Sequence, residues 1–81
     1  MLVTVRLFAI ARERAGMRAI ELELPEVATV ADLRAALLAR VPGLLPALGS
    51  IRFSVNAEYA DDTTAIPSGA ELAAIPPVSG G

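Results

Sequence analysis

Residues 29–43 read TVADLRAALLARVPG, and this stretch decides the fold. Val30, Leu33, Leu37 and Val41 recur at spacings of three, four and four, which lines them up on one face of a helix. Thr29 is placed to start that helix, its hydroxyl accepting from the backbone amide of Asp32, and Asp32 stands where a capping-box acid belongs. Pro42-Gly43 ends it. A single amphipathic helix needs a surface to cover, and the flanking sequence supplies strands.

On the N-terminal side, Leu2 to Phe8 alternates with period two. Val3, Val5 and Leu7 share one face; Thr4, Arg6 and Phe8 share the other. Ala9 to Ala15 reads as a short helical turn stopped by a left-handed Gly16. Arg18 to Leu24 alternates again, with Ile20, Leu22 and Leu24 inward and Glu21 and Glu23 outward, until Pro25. The two strands form a hairpin with a widened loop. On the C-terminal side, Leu44 to Leu48 is an apolar connector capping the core, and Ile51 to Val55 is a third strand. Asn56 to Thr64 reads as a polar loop. Pro67-Ser68-Gly69 is turn chemistry, Glu71 to Ile75 is a last short strand, and Pro76-Pro77 cannot extend the ladder. The order is strand, strand, helix, strand, then one or two short strands. That is an α+β β-grasp: a mixed sheet packed on one main helix. A ferredoxin-like alternative needs a second full helix, and Leu44 to Leu48 is too short for it. The expected division is a domain over 1–75 and a flexible tail over 76–81.

The bulk composition narrows what such a domain can do. With 81 residues and no cysteine, there is no disulfide or thiolate zinc site, and the 54% apolar content must supply the cohesion. Part of that apolar surface is left to meet a partner. Seven arginines against nine acids give a formal net charge of −2 with no basic run, so nucleic acid is not an expected partner. No apolar run approaches a membrane span, and Met1 leads into a strand rather than a secretion signal; the expected location is the cytoplasm. Histidine and lysine are both absent. The commonest general base and the Schiff-base amine are therefore missing, and Ser50, Ser54, Ser68 and Ser79 have no such partner to activate them. Asp61-Asp62 lacks a third ligand at metal-binding spacing. The chain is not expected to be an enzyme on its own or to hold a metal.

Two segments carry a family resemblance. Residues 76–81, PPVSGG, and residues 8–16, FAIARERAG, resemble the tail and the Phe-Ala-x-x-Arg-Glu-x-x-Gly segment of the small sulfur-carrying subunits of molybdopterin synthase. That family is related to the thiamine-pathway carrier and to ubiquitin. Val55-Asn56 and Ser68 to Leu72 also fit its later turns, and the similarity runs over essentially the whole chain. The sequence departs from the family at Ile75, where an aromatic is frequent, and at Tyr59, where leucine is common.

The resemblance implies that the terminal carboxylate of Gly81 is the reacting group. A ubiquitin-activating-type adenylating enzyme, using ATP and magnesium, makes it an acyl adenylate. Sulfide from a persulfide donor then displaces AMP to leave a thiocarboxylate. The loaded end enters the large subunit of the synthase and gives its sulfur to a cyclic pterin precursor. No cofactor is expected on this chain, and the complex is expected to be a heterotetramer. Gly80 and Gly81 suit a narrow channel because they lack Cβ. Val78 and Ser79 are expected to contact the partner, Ser79 being small enough for the channel, and Pro76 and Pro77, also expected partner contacts, stiffen the arm. Six residues extended at roughly 3.3–3.6 Å each reach about 20 Å. Phe8, Tyr59 and Ile75 are the expected anchors on the docking face, and Arg12 the expected partner of an acidic surface. Rival readings are a carrier for thiamine, tRNA thiolation or cysteine synthesis, and a ubiquitin-like protein modifier joined to targets through Gly81. A plain binding module with an inert tail is a third.

Overall fold

The computed structural model describes residues 1–77. Its strands are β1 (Leu2–Leu7), β2 (Ala19–Glu23), β3 (Arg52–Val55), β4 (Glu58–Ala60) and β5 (Leu72–Ile75). Its helices are α1 (Ala9–Ala15), α2 (Val30–Arg40) and α3 (Leu45–Leu48), with a 3₁₀ turn at Pro42–Leu44 before α3. The sheet order is β2-β1-β5-β3-β4. The central pair β1 and β5 is parallel, and every other pair is antiparallel. This is the β-grasp expected from the sequence.

The helix stripe folds as its spacing requires. Val30, Leu33 and Leu37 are fully buried and Val41 nearly so, against Val3, Val5, Leu7, Ile20, Leu22, Phe53, Leu72 and Ala74 of the sheet. Each fully buried leucine or phenylalanine contributes about 1.5–3 kcal/mol, so these positions carry most of the cohesion of a chain without cross-links. The start of α2 carries the capping box: the Asp32 amide donates to Thr29 Oγ1, and the Thr29 amide donates to Asp32 Oδ2 at 2.9 Å. Gly16 closes α1 at φ 72°, the left-handed geometry that glycine adopts without steric cost.

Three details differ from the sequence reading. The stretch Leu44 to Leu48 is more than a connector: Leu44 is fully buried in the 3₁₀ turn and a one-turn helix follows it. The supposed loop after Val55 contains β4. Asn56 and Ala57 both have positive φ, 51° and 69°, and Val55 pairs with Glu58. That is the two-residue hairpin turn whose twist matches the sheet. Thirdly, β1 ends at Leu7, and Phe8 becomes the residue preceding α1.

Arg34 ties these pieces together. Its Nη1 donates to the carbonyls of Leu48 at 2.6 Å and Ile51 at 2.9 Å, and its Nη2 pairs with Asp62 at 3.0 Å. The guanidinium lies 4.9 Å from the centroid of the buried Phe53 ring. One side chain thus joins α2, α3, the start of β3 and the loop after β4. No helix among the described residues is long and apolar enough to cross a membrane.

Candidate docking face

The alternation of the strands puts one side of the sheet against α2 and leaves the other uncovered by the described residues. On the uncovered side, the register builds a row across four strands: Tyr59 opposite Ser54, Ser54 opposite Ala73, and Ala73 beside Arg6. The adjacent row pairs Arg52 with Ile75. Phe8 joins the face because its backbone stays extended beyond β1, its amide donating to the Ala74 carbonyl at 3.3 Å. Ala9, at φ 50°, then turns the chain into α1.

Phe8, Ser54, Ala57, Tyr59, Ala73 and Ile75 line a shallow groove of about 310 Å³. Its walls are apolar, and Phe8 and Tyr59 are 41% and 56% exposed, unusually open for aromatics in so small a domain. A second depression of about 350 Å³, lined by Arg52, Tyr59, Ile75, Pro76 and Pro77, continues the groove to the end of β5. Phe8, Tyr59 and Ile75, expected from the sequence on one docking face, share this groove. Pro77 is exposed at its end, whereas Pro76 is buried, so the packed body reaches one residue past Ile75. Arg12 is exposed on α1 and does not line the groove. Val78, Ser79, Gly80 and Gly81 lie outside the described residues.

The polar groups near the groove explain its shape. Asn56 locks the β3–β4 turn to β5: its amide donates to the Glu71 carbonyl at 2.8 Å, and its Oδ1 accepts from the Glu71 amide at 2.9 Å. The loop after β4 is held by Asp61, whose Oδ1 accepts from the Thr63 amide and from the Thr63 and Thr64 hydroxyls. Those hydrogen bonds, led by the Thr63 hydroxyl, favour the ionised carboxylate and lower the Asp61 pKa below 3.8. Asp61 and Asp62 are therefore a loop brace and an ion-pair partner. Among the described residues, no group of three His, Cys, Asp or Glu side chains is arranged to hold a metal.

Sequence reasoning gave no role to Arg52, which turns out to stand at the rim. Its guanidinium stacks 4.0 Å from the Tyr59 ring centroid, while Arg6 lies 5.8 Å from that of Phe8. Arg52 is exposed beside the buried Phe53 in β3, and only β4 brings Tyr59 next to it.

A β-grasp with an open apolar groove reaching Pro77, in a sequence that ends Gly-Gly, invites comparison with known proteins. The model of the ThiS family matches residues 5–81. The chain belongs to the ThiS family. A curated relative, the molybdopterin synthase sulfur carrier subunit of Chlamydomonas reinhardtii, is 39% identical, with 100% of both chains covered. Among solved structures, SAMP1, small archaeal modifier protein 1, of Haloferax volcanii is similar at a TM-score of 0.87 and 34% identity over 100% of both chains. A complex of subunits 1 and 2 of molybdopterin-converting factor from Helicobacter pylori is similar at a TM-score of 0.70 and 27% identity, again over 100% of both chains. As a ThiS-family member the chain has its match extending through the tail, including the four residues beyond Pro77.

Proposed function

We propose that this chain is the sulfur-carrier subunit of a molybdopterin synthase and that Gly81 is its reacting end. The observation that carries the reading is the apolar groove of Phe8, Tyr59 and Ile75 running to Pro77, the root of a Val-Ser-Gly-Gly end. A partner seated on the groove meets the chain at Pro77, four residues before Gly81. The names of the curated relative and of the two-subunit complex from Helicobacter pylori support this direction.

The chemistry follows from the carboxylate. As an anion with an oxide leaving group it is a poor electrophile, so an adenylating enzyme of the ubiquitin-activating type first transfers AMP to it from magnesium-bound ATP. The outer sulfur of a persulfide then displaces AMP to give an acyl disulfide, and a second thiol cleaves its S–S bond, leaving a thiocarboxylate on Gly81 and a disulfide on the donor. On the large subunit this sulfur attacks the cyclic pterin precursor. Two such transfers supply the dithiolene, and each carrier returns as a carboxylate. The domain itself contributes recognition; its histidine-free and lysine-free body leaves catalytic groups and nucleotide to its partners. The assembly is a heterotetramer with the large subunit, working in the cytoplasm.

The test is loading. Incubation with the adenylating enzyme, ATP, magnesium, a persulfide donor and a thiol reductant should raise the mass of the intact chain by the difference between sulfur and oxygen, all of it on the Gly81 peptide. A chain that remains a carboxylate, or carries sulfur elsewhere, refutes the reading. A second reading, protein modification through Gly81, is favoured by the similarity to small archaeal modifier protein 1. It requires higher-mass conjugates of this chain in cells, which a pure carrier does not form.

A further inference from the structure

We propose that Arg52, held on the Tyr59 ring at the root of the tail, reads a carboxylate on the partner that accepts the tail. This deepens the carrier reading and rests on it. Arg52 pairs across the sheet with Ile75, the last residue of β5, so its guanidinium stands where the chain leaves the body. The guanidinium carbon lies over the Tyr59 ring, 4.0 Å from its centroid. Among the described residues the guanidinium N–H groups make no hydrogen bond or ion pair. A planar fork with unspent donors matches a carboxylate by two parallel hydrogen bonds.

The surrounding charges point to the same occupant. Asp61 and Asp62 border the cavity on the other flank of Arg52, but both are engaged. Asp62 pairs with Arg34, and Asp61 accepts from Thr63 and Thr64. Toward the groove, Arg52 is the sole charged side chain among the described residues lining the two apolar depressions. At the far end, Arg6 shares its depression with Glu71, so that end is balanced. While the ionised Asp61 lies across its other flank, Arg52 therefore has no acidic neighbour among the described residues on its groove side, beside the end of β5. Ile75, Pro76 and Pro77 form an apolar wall next to it, which suits the stem of an aspartate or glutamate beside an apolar anchor in the groove.

The experiment measures affinity of the full chain for the molybdopterin synthase large subunit from the same organism, at low and at moderate salt, with thermal unfolding confirming that each variant is folded. Arg52→Glu should weaken binding by at least about tenfold, and Arg52→Gln by less. Tyr59→Phe, which keeps the ring, should bind as wild type does. Arg52→Lys, which keeps the charge but loses the planar stack, should fall between wild type and Arg52→Gln. The affinity gap between wild type and Arg52→Glu should shrink as salt rises. Reversing the partner's matching acid to arginine should restore Arg52→Glu. Wild-type binding with Arg52→Glu within about twofold of it overturns this proposal alone. Failure of the wild-type chain to bind overturns the carrier reading as well. Saturable binding of AMP at Arg52 in the isolated chain overturns it in favour of a nucleotide site.

Discussion

Replacing Arg34 with alanine should destabilise the fold far more than removing an ordinary helix-surface arginine. The side chain donates two short hydrogen bonds to the part-buried carbonyls of Leu48 and Ile51, at 2.6 and 2.9 Å. Hydrogen bonds from a charged donor contribute about 1.5–3 kcal/mol each, and water reaching the vacated site recovers part of that. The Asp62 pair is exposed on the acid's side and adds only about 0.2–1 kcal/mol. A net loss of about 2–3 kcal/mol follows. In a domain of this size each kcal/mol moves the melting temperature by about 4–8 °C, so Arg34→Ala should melt roughly 10–20 °C lower. Urea unfolding followed by circular dichroism gives the same quantity through its midpoint, with the slope unchanged if the denatured state is unaltered. Arg34→Lys should recover less than half, because one ammonium cannot hold both carbonyls and stack on Phe53. Asp62→Asn should cost less than about 1 kcal/mol. If Arg34→Ala melts within about 3 °C of wild type, the cross-links inferred for this residue do not carry the fold.

The α2 capping box gives a smaller effect: Thr29→Ala should lose about 1 kcal/mol, measured as a lower urea midpoint, and a midpoint equal to wild type would show the cap to be dispensable. Asp61 has its pKa lowered on folding, so its stabilisation is complete above the ordinary carboxylate value of 3.8 and disappears as pH falls through the depressed folded value. The stability gap between wild type and Asp61→Asn should therefore be constant from neutral pH to about pH 5 and close in more acidic solution; a gap that widens on acidification contradicts the bracing role. Phe8→Asp should leave the fold intact, since Phe8 is 41% exposed, while weakening large-subunit binding about thirtyfold or more in calorimetry, as loss of a buried aromatic anchor does.

Most of the fold could be read from the sequence because its strongest signals are local and periodic. The stripe from Val30 to Val41, the Thr29–Asp32 box and Gly16 each determine their geometry within a few residues. β4 was not legible. Its turn is Asn56-Ala57, without the glycine that marks most such hairpins, and the strand is three residues long and polar at one end. That omission also hid the Arg52–Tyr59 stack, which exists only once β4 lies beside β3. Arg34 was hidden for a related reason. It lies off the helix stripe, and nothing local says that the carbonyls of Leu48 and Ile51 converge on it. Phe8, Tyr59 and Ile75 could be named beforehand, but their common groove is a product of register, which single-strand patterning does not supply.

Reconstitution tests the carrier mechanism at its chemical step. Large subunit, cyclic pterin precursor and a chain bearing a chemically installed thiocarboxylate at Gly81 should yield molybdopterin in proportion to the thiocarboxylate supplied. The carboxylate form, or a chain extended by one residue past Gly81, should yield none. Product formed equally well by the extended chain would contradict the account, because sulfur would then be travelling by some route other than this terminus.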